Sequence, residues 1–247
     1  MAFGLSDSGR LWVGLTLASI GIYTLSEHHS KGSLPWIYPA LLKSFPCLFI
    51  SAGVAPHLSS LGFLLSAVGD FFLAYSDGMS ESKGKAELGF LLGLASFLIS
   101  QWVYVASFLE AAKSRREGKA KGKKEGGPSP TQSFFMLVSY VIAGSLYQIL
   151  VGQESVKSAG LAMPVLFYCF SIASMLASSI FSFAGGSKLS VSVTGILGAL
   201  LFVVSDGYLS LNMFLAPMPH SRLVIMSTYF AAQVLLGLAF TEEKISM

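Results

Sequence analysis

Two aspartates lie inside apolar runs long enough to cross a membrane: Asp70 in VGDFFLAYSD (68–77) and Asp206 in VVSDGYLSLN (203–212). The settings echo each other: Val, a small residue, Asp, two residues, then Leu. An ionisable group at bilayer depth costs roughly 3 kcal/mol or more to insert, so it is functional by default or belongs to a charge pair acting as glue. Lys43, in LLKSFP (41–46), is the candidate partner. It could neutralise one aspartate, or its stem could snorkel to the interface.

The elements that position these groups follow from composition. Of 247 residues, 53% are hydrophobic and 12% charged, with 19 Phe and a mean hydropathy of +0.66. A soluble domain carries about 25% charged residues. The chain is therefore expected to be all-α, a polytopic membrane helix bundle, because backbone groups in lipid must be satisfied within each segment. Apolar stretches between polar breaks give eight spans, at 11–26, 35–53, 59–76, 87–110, 133–151, 161–181, 190–213 and 222–241. Their ends are set to within about 2–4 residues. The first is short and amphiphilic, which leaves seven as the alternative count. The segment MAFGLSDSGR lacks the positive cluster of a cleaved signal, so the first span is expected to be retained. We expect one transmembrane domain over 1–247, integral and multi-pass, with the endoplasmic reticulum as its first-choice membrane and other membranes as the alternative.

Residues 113–130, KSRREGKAKGKKEGGPSP, carry seven Lys/Arg with Gly and Pro. They predict a flexible basic loop at about 111–132, solvated and touching anionic lipid, rather than a nucleic-acid site. The excess of Lys and Arg marks the cytoplasmic side. With this loop inside, Arg10, Lys188 and Lys244 join it, against Lys31, Lys83, Lys85, Lys157 and Arg222 outside. Both termini are then cytoplasmic. In that topology Asp70, Asp206 and Tyr229 lie roughly 10 Å below the outer boundary, and Lys43 about 12 Å, at 1.5 Å per residue. Four polar groups from four helices at one depth suggest a site.

Helical spacing groups further residues. Gly62, Ser66, Gly69 and Asp70 share a face, as do Gly198, Asp206 and Ser210. Arg222, Met226, Tyr229 and Gln233 follow i, i+4, i+7, i+11. Small residues beside the carboxylates allow close helix approach or leave room for a ligand. Blander roles apply too. Ser66, Ser205 and Ser210 can bond their own helix carbonyls. Gln101 and Tyr104 suit interhelical hydrogen bonding, and Gly89 and Gly93 form a weak GxxxG match. Arg222 suits an interfacial anchor, which is also where a phosphate would bind. Cys47 and Cys169 sit in apolar runs and read as small buried hydrophobes. His28, His29, His57 and His220 lack metal-ligand spacing, so no metal site is expected. Neither a GxSxG elbow nor a phosphate-cradling glycine loop occurs.

These segments together resemble the lysoplasmalogenases of the YhhN type. LLKSFP (41–46) is similar to the family's Lys-x-x-Pro segment. GFLLSAVGDFFL (62–73) resembles its Gly-Asp helix, GALLFVVSDGYLSLNMF (198–214) its Ser-Asp helix, and RLVIMSTYFAAQVLL (222–236) its last span. One position departs: FLISQWVY (97–104) has Gln101 where members commonly carry His. The resemblance implies hydrolysis of the vinyl-ether bond of a lysophospholipid, the lysoplasmalogen, to a fatty aldehyde and a glycerophospho head group, without a cofactor. Asp70 and Asp206 would be the acid and base, in an order the sequence leaves open. Lys43 would hold one of them ionised. Tyr229 and Gln233 would orient water or substrate, Arg222 would hold phosphate, and Ser66, Gln101, Tyr104 and Ser210 would support. A lipid or small-molecule transporter or binding protein is the alternative class, since the echo between the two Asp helices would suit a parallel repeat.

Overall fold

Long apolar runs with few helix breakers must form helices in lipid, and the computed structural model, which describes residues 7–30, 35–119, 128–158, 160–183 and 189–246, is helical through nearly all of them. In order the elements are α1 (Asp7–Ser30), α2 (Ile37–Val54), α3 (Ser59–Gly78), α4 (Lys83–Lys119), α5 (Pro130–Val151), the short α6 (Glu154–Ser158), α7 (Ala162–Phe183), α8 (Leu189–Phe214) and α9 (Ser221–Ser246). Among the described residues, seven of these, α2 to α5 and α7 to α9, are long and apolar enough to cross a membrane. The protein is an integral, multi-pass membrane protein.

Three departures from the sequence-based expectation have physical causes. α1 is a full helix of 24 residues but is not among the seven. Thr16, Ser19, Thr24 and Ser26 dilute its apolar character, so length and composition support the alternative count of seven. The stretch expected as a flexible loop from about residue 111 begins instead as helix, because α4 runs on to Lys119. Its Glu110-Ala-Ala-Lys113 and Arg115-Arg116 residues are strong helix formers. Residues 120–127, the rest of the basic run, lie outside the described residues. The third is α6, one short turn of helix between α5 and α7 that periodicity cannot reveal.

The chain divides into two compact units, Met1–Tyr104 and Val105–Met247, and the division falls within α4. In the first unit α2 packs on α1 and α3. The Trp12 ring lies so close over Gly53 that a methyl group there would collide with it. Ser51 Oγ on α2 donates to the Ser60 carbonyl on α3 at 2.8 Å. Trp36 meets Phe71 and Tyr75 edge to face, closing the far end of the α2–α3 pair.

In the second unit α8 and α9 form the most extensive pairing, with α5 on α7 and α7 on α8. Ser129 starts α5 as an N-cap: its Oγ accepts from the Gln132 N–H, and Gln132 Oε1 accepts from the Ser129 N–H at 2.7 Å. Ala143, Leu150, Val156, Val165, Cys169 and Ala173 make a small apolar core between α5, α6 and α7. Arg115, near the end of α4, donates to the Ser182 carbonyl and to its hydroxyl, capping the last turn of α7. The outer face of α5 presents Phe134, Phe135, Leu137, Val141, Ile142 and Ile149. Such a face suits hydrocarbon as its solvent.

Candidate functional site

The two candidate aspartates lie in different units and in different settings. In the first, Asp70 on α3 is 1% exposed. Its Oδ1 lies 3.7 Å from Lys43 Nζ on α2, so the expected partner is in place. Cys47, one helical turn after Lys43, donates its thiol hydrogen to Asp70 Oδ2 at 3.6 Å.

Glycines set this neighbourhood. A methyl group at Gly69 would come within 2.7 Å of the Phe97 ring on α4, and one at Gly62 within 2.6 Å of the Tyr104 ring. Those two positions let α3 lie directly against α4. Between them, Ser66 reaches Ser100 Oγ at 2.8 Å and Tyr104 Oη at 3.3 Å, while Ser100 Oγ donates to the Gly62 carbonyl at 2.8 Å. A hydroxyl has one hydrogen to give. Ser100 gives its own to a carbonyl, so Ser66 must donate to Ser100, and Tyr104 to Ser66. The hydrogens run from Tyr104 through Ser66 and Ser100 to backbone, which makes this chain interhelical glue. Ser66 thus bonds across to α4 rather than to its own helix, correcting the expectation from sequence. Gln101, beside Ser100, is fully buried.

In the second unit Asp206 on α8 is half-buried. The Tyr168 phenol on α7 donates to Asp206 Oδ2 at 2.6 Å. Ser205, the neighbouring residue, donates to the Ile225 carbonyl on α9 at 3.1 Å, again across helices rather than along its own. Ser210 does bond its own helix, donating to the Gly207 carbonyl at 2.8 Å. Along α9, exposure falls in sequence: Arg222 is exposed, Met226 half-buried, and Tyr229 and Gln233 buried. The four residues read as one face therefore lead inward from the helix start. Tyr229 packs edge-on against Phe202, one turn before Asp206 on α8, with ring centroids 5.8 Å apart. At the mouth of the α8–α9 pair, Tyr208 Oη donates to the Pro219 carbonyl at 2.8 Å and Asn212 Oδ1 accepts from the Met218 N–H at 2.9 Å. These bonds fix the connection from which Arg222 projects.

Of the four groups expected at one depth, Lys43 and Asp70 meet in the first unit, and Asp206 and Tyr229 belong to the second. Tyr168 was missed. It lies in the apolar run PVLFYCF, 38 positions before Asp206, with no spacing to single it out among nine tyrosines. Cys47 was read only as a small hydrophobe, and its position one turn after Lys43 was the available signal. Cys47 and Cys169 are both buried thiols. Among the described residues no group of three or more His, Cys, Asp or Glu could hold a metal ion.

Comparison with known proteins shows the family. The YhhN family matches residues 12–240. Lysoplasmalogenase TMEM86B of Sus scrofa is 30% identical over 212 residues, 83% of this chain and 76% of that protein. The Homo sapiens TMEM86B enzyme is 30% identical over 217 residues, 85% of this chain and 77% of its own. Lysoplasmalogenase TMEM86A of Homo sapiens is 28% identical over 247 residues, 97% of this chain and 83% of its own. No solved structure matches. The matched segment takes in α2, α3, α8 and most of α9, and with them both carboxylates: the chain belongs to the YhhN family.

Proposed function

We propose that this protein is a lysoplasmalogenase, hydrolysing the vinyl-ether bond of alkenyl-glycerophosphocholine or -ethanolamine to a fatty aldehyde and the glycerophospho head group. The observation that carries this is its similarity to relatives named lysoplasmalogenases, over 76% to 83% of their length. The chemistry suits the residues. A vinyl ether reacts when its outer carbon is protonated, giving an oxocarbenium-like cation that water then captures. One carboxyl group must supply that proton. A second, ionised, can stabilise the cation and take a proton from the attacking water. Asp70 and Asp206 are proposed for these roles, with Lys43 holding Asp70 ionised. Arg222, exposed in the first turn of α9, is proposed to hold the substrate phosphate, where its guanidinium can bind two oxygens at once. Tyr229 and Gln233 would line the inner part of the same face.

We place the protein in the endoplasmic reticulum membrane, with the 113–130 segment, whose seven Lys/Arg give the positive excess, and both termini in the cytoplasm. Protection of tags from protease in sealed microsomes would contradict that orientation.

The test is incubation of full-length protein in detergent with lysoplasmenylcholine in heavy water. The expected product is a fatty aldehyde carrying one deuterium on the carbon next to the carbonyl, because that carbon receives the solvent-derived proton. No aldehyde above the protein-free blank, or aldehyde without the deuterium, would rule out this hydrolysis.

A further inference from the structure

We propose that Cys47 is the positioning residue for Asp70: its thiol fixes the plane of a carboxyl group that the Lys43 cation attracts without orienting. This deepens the hydrolase assignment above and rests on it for the role of Asp70. Lys43, Cys47 and Asp70 all lie in the Met1–Tyr104 unit, on the packed pair α2 and α3.

The two α2 side chains meet different oxygens. Lys43 Nζ is 3.7 Å from Asp70 Oδ1, and Cys47 Sγ donates to Oδ2 at 3.6 Å. Residues four apart share a helix face, so one turn of α2 addresses both ends of the carboxyl group. The last torsion of an aspartate is broad and has no sharp preferred angle of its own. Its plane is therefore set by neighbours. A lysine ammonium is a compact point charge on a flexible four-carbon stem, which gives attraction and little direction. Cys47 has a short side chain with one torsion to its sulfur, and its side chain is fully buried, 0% exposed. Its sulfur position follows from the α2 backbone, and through the second oxygen it fixes the rotation of the carboxyl group.

The residue type fits this task. A serine within a helix commonly turns back to the carbonyl four residues earlier, and on this same helix Ser44 Oγ donates to the Ala40 carbonyl at 2.9 Å. Cys47 reaches across to α3 instead. On the other side of Asp70, Gly69 brings α3 against the Phe97 ring of α4, so the carboxyl group is carried by a helix held on two sides. Proton transfer is directional, and a misplacement of about 1 Å can cost 10²-fold in rate. Being fully buried, Cys47 acts through Asp70 and not on the substrate.

The test uses full-length protein, lysoplasmenylcholine and the two cysteines of the chain, Cys47 and Cys169. Both are buried, but Cys169 lies in the apolar core between α5, α6 and α7, so Cys169→Ala is the control for loss of packing alone. Per folded molecule, Cys47→Ala should lower kcat about 10–100-fold with KM within about twofold, whereas Cys169→Ala should leave both unchanged. On an Asp70→Asn background Cys47→Ala should lose nothing further, since the two act as a unit. The S–H stretching band gives a readout independent of turnover, because a hydrogen bond lowers its frequency. The Cys47 band, identified by its loss in Cys47→Ala, should move to higher frequency in the double variant Lys43→Met/Asp70→Leu. That change removes the acceptor and its cation together and so leaves no buried unpaired charge. Active wild type in which Cys47→Ala turns over like Cys169→Ala, or whose Cys47 band ignores the loss of Asp70, would overturn the positioning role and leave the hydrolase standing. Wild type that releases no aldehyde would overturn the hydrolase assignment, and the positioning role with it.

Discussion

The two aspartates are similar in sequence and different in surroundings. Asp70 is sealed in, facing Lys43 and the Cys47 thiol, on a helix drawn against α4 by Gly62 and Gly69. Asp206 is half-buried and faces a phenol. One setting pairs the carboxyl group with a cation and a thiol, and the other with a phenol. The comparison shows that an aspartate in an apolar helix is an incomplete description. What the group can do depends on whether its partner is a cation or a neutral donor, and the partner comes from a helix elsewhere in the sequence.

The largest expected contrast between the two settings is in stability. Lys43→Met leaves the Asp70 carboxylate buried without its cation, and breaking a buried pair by removing one partner is worth about 3–5 kcal/mol. Tyr168→Phe removes one hydrogen bond from a half-buried carboxyl group, worth about 1.5–3 kcal/mol at most. Thermal melting of the two variants in the same detergent should rank Lys43→Met well below Tyr168→Phe, and the reverse order would mean that the Asp70 site is the looser one. Asp70 also depends on close approach of α3 to α4. Gly69→Ala forces Phe97 aside and should destabilise by about 1–3 kcal/mol as an overpacked contact. A Gly207→Ala change on α8, where the nearest foreign atom to a new methyl would be 3.9 Å away, should be neutral in the same assay.

Smaller effects separate glue from chemistry. Tyr104→Phe deletes the first donor of the Tyr104–Ser66–Ser100 chain and should cost about 0.5–1.5 kcal/mol with turnover per folded molecule retained. A large fall in turnover without a change in melting would show that this chain serves Asp70 after all. Gln101→His introduces the histidine that the resemblance leads one to expect here, and should change the rate only modestly. A silent wild type revived by that substitution would mean that the histidine is required.

Much of this could be read from the sequence, and the limits are specific. The apolar runs gave the helices, because lipid forces backbone hydrogen bonds inside each segment. The Lys43–Asp70 pair was legible because charges are so rare in the spans that each stands out. Tyr168 was not, because a tyrosine in an apolar run is ordinary and its partner is fixed by how α7 packs on α8. Ser66 and Ser205 were expected to bond their own helices, as isolated serines do. In the folded chain a neighbouring helix offers a hydroxyl and a carbonyl at better positions. The helical extension of α4 beyond residue 111 was hidden by charge: the basic run looked like a loop, yet its alanines, lysines and arginines favour helix wherever a helix already leads into them.

The central claim is that both carboxyl groups perform the reaction, and aldehyde release per folded molecule tests it most directly. Wild type, Asp70→Asn, Asp206→Asn and the double variant would be assayed with lysoplasmenylcholine, each scaled to the folded fraction from its melting curve. An amide keeps the size of the side chain but neither donates a proton to carbon nor accepts one from water. Each single change should lower turnover by about 10²–10⁴-fold, and the double variant should be little worse than either, since residues acting as a unit do not add. A well-folded Asp70→Asn or Asp206→Asn protein with near-normal turnover would contradict the claim.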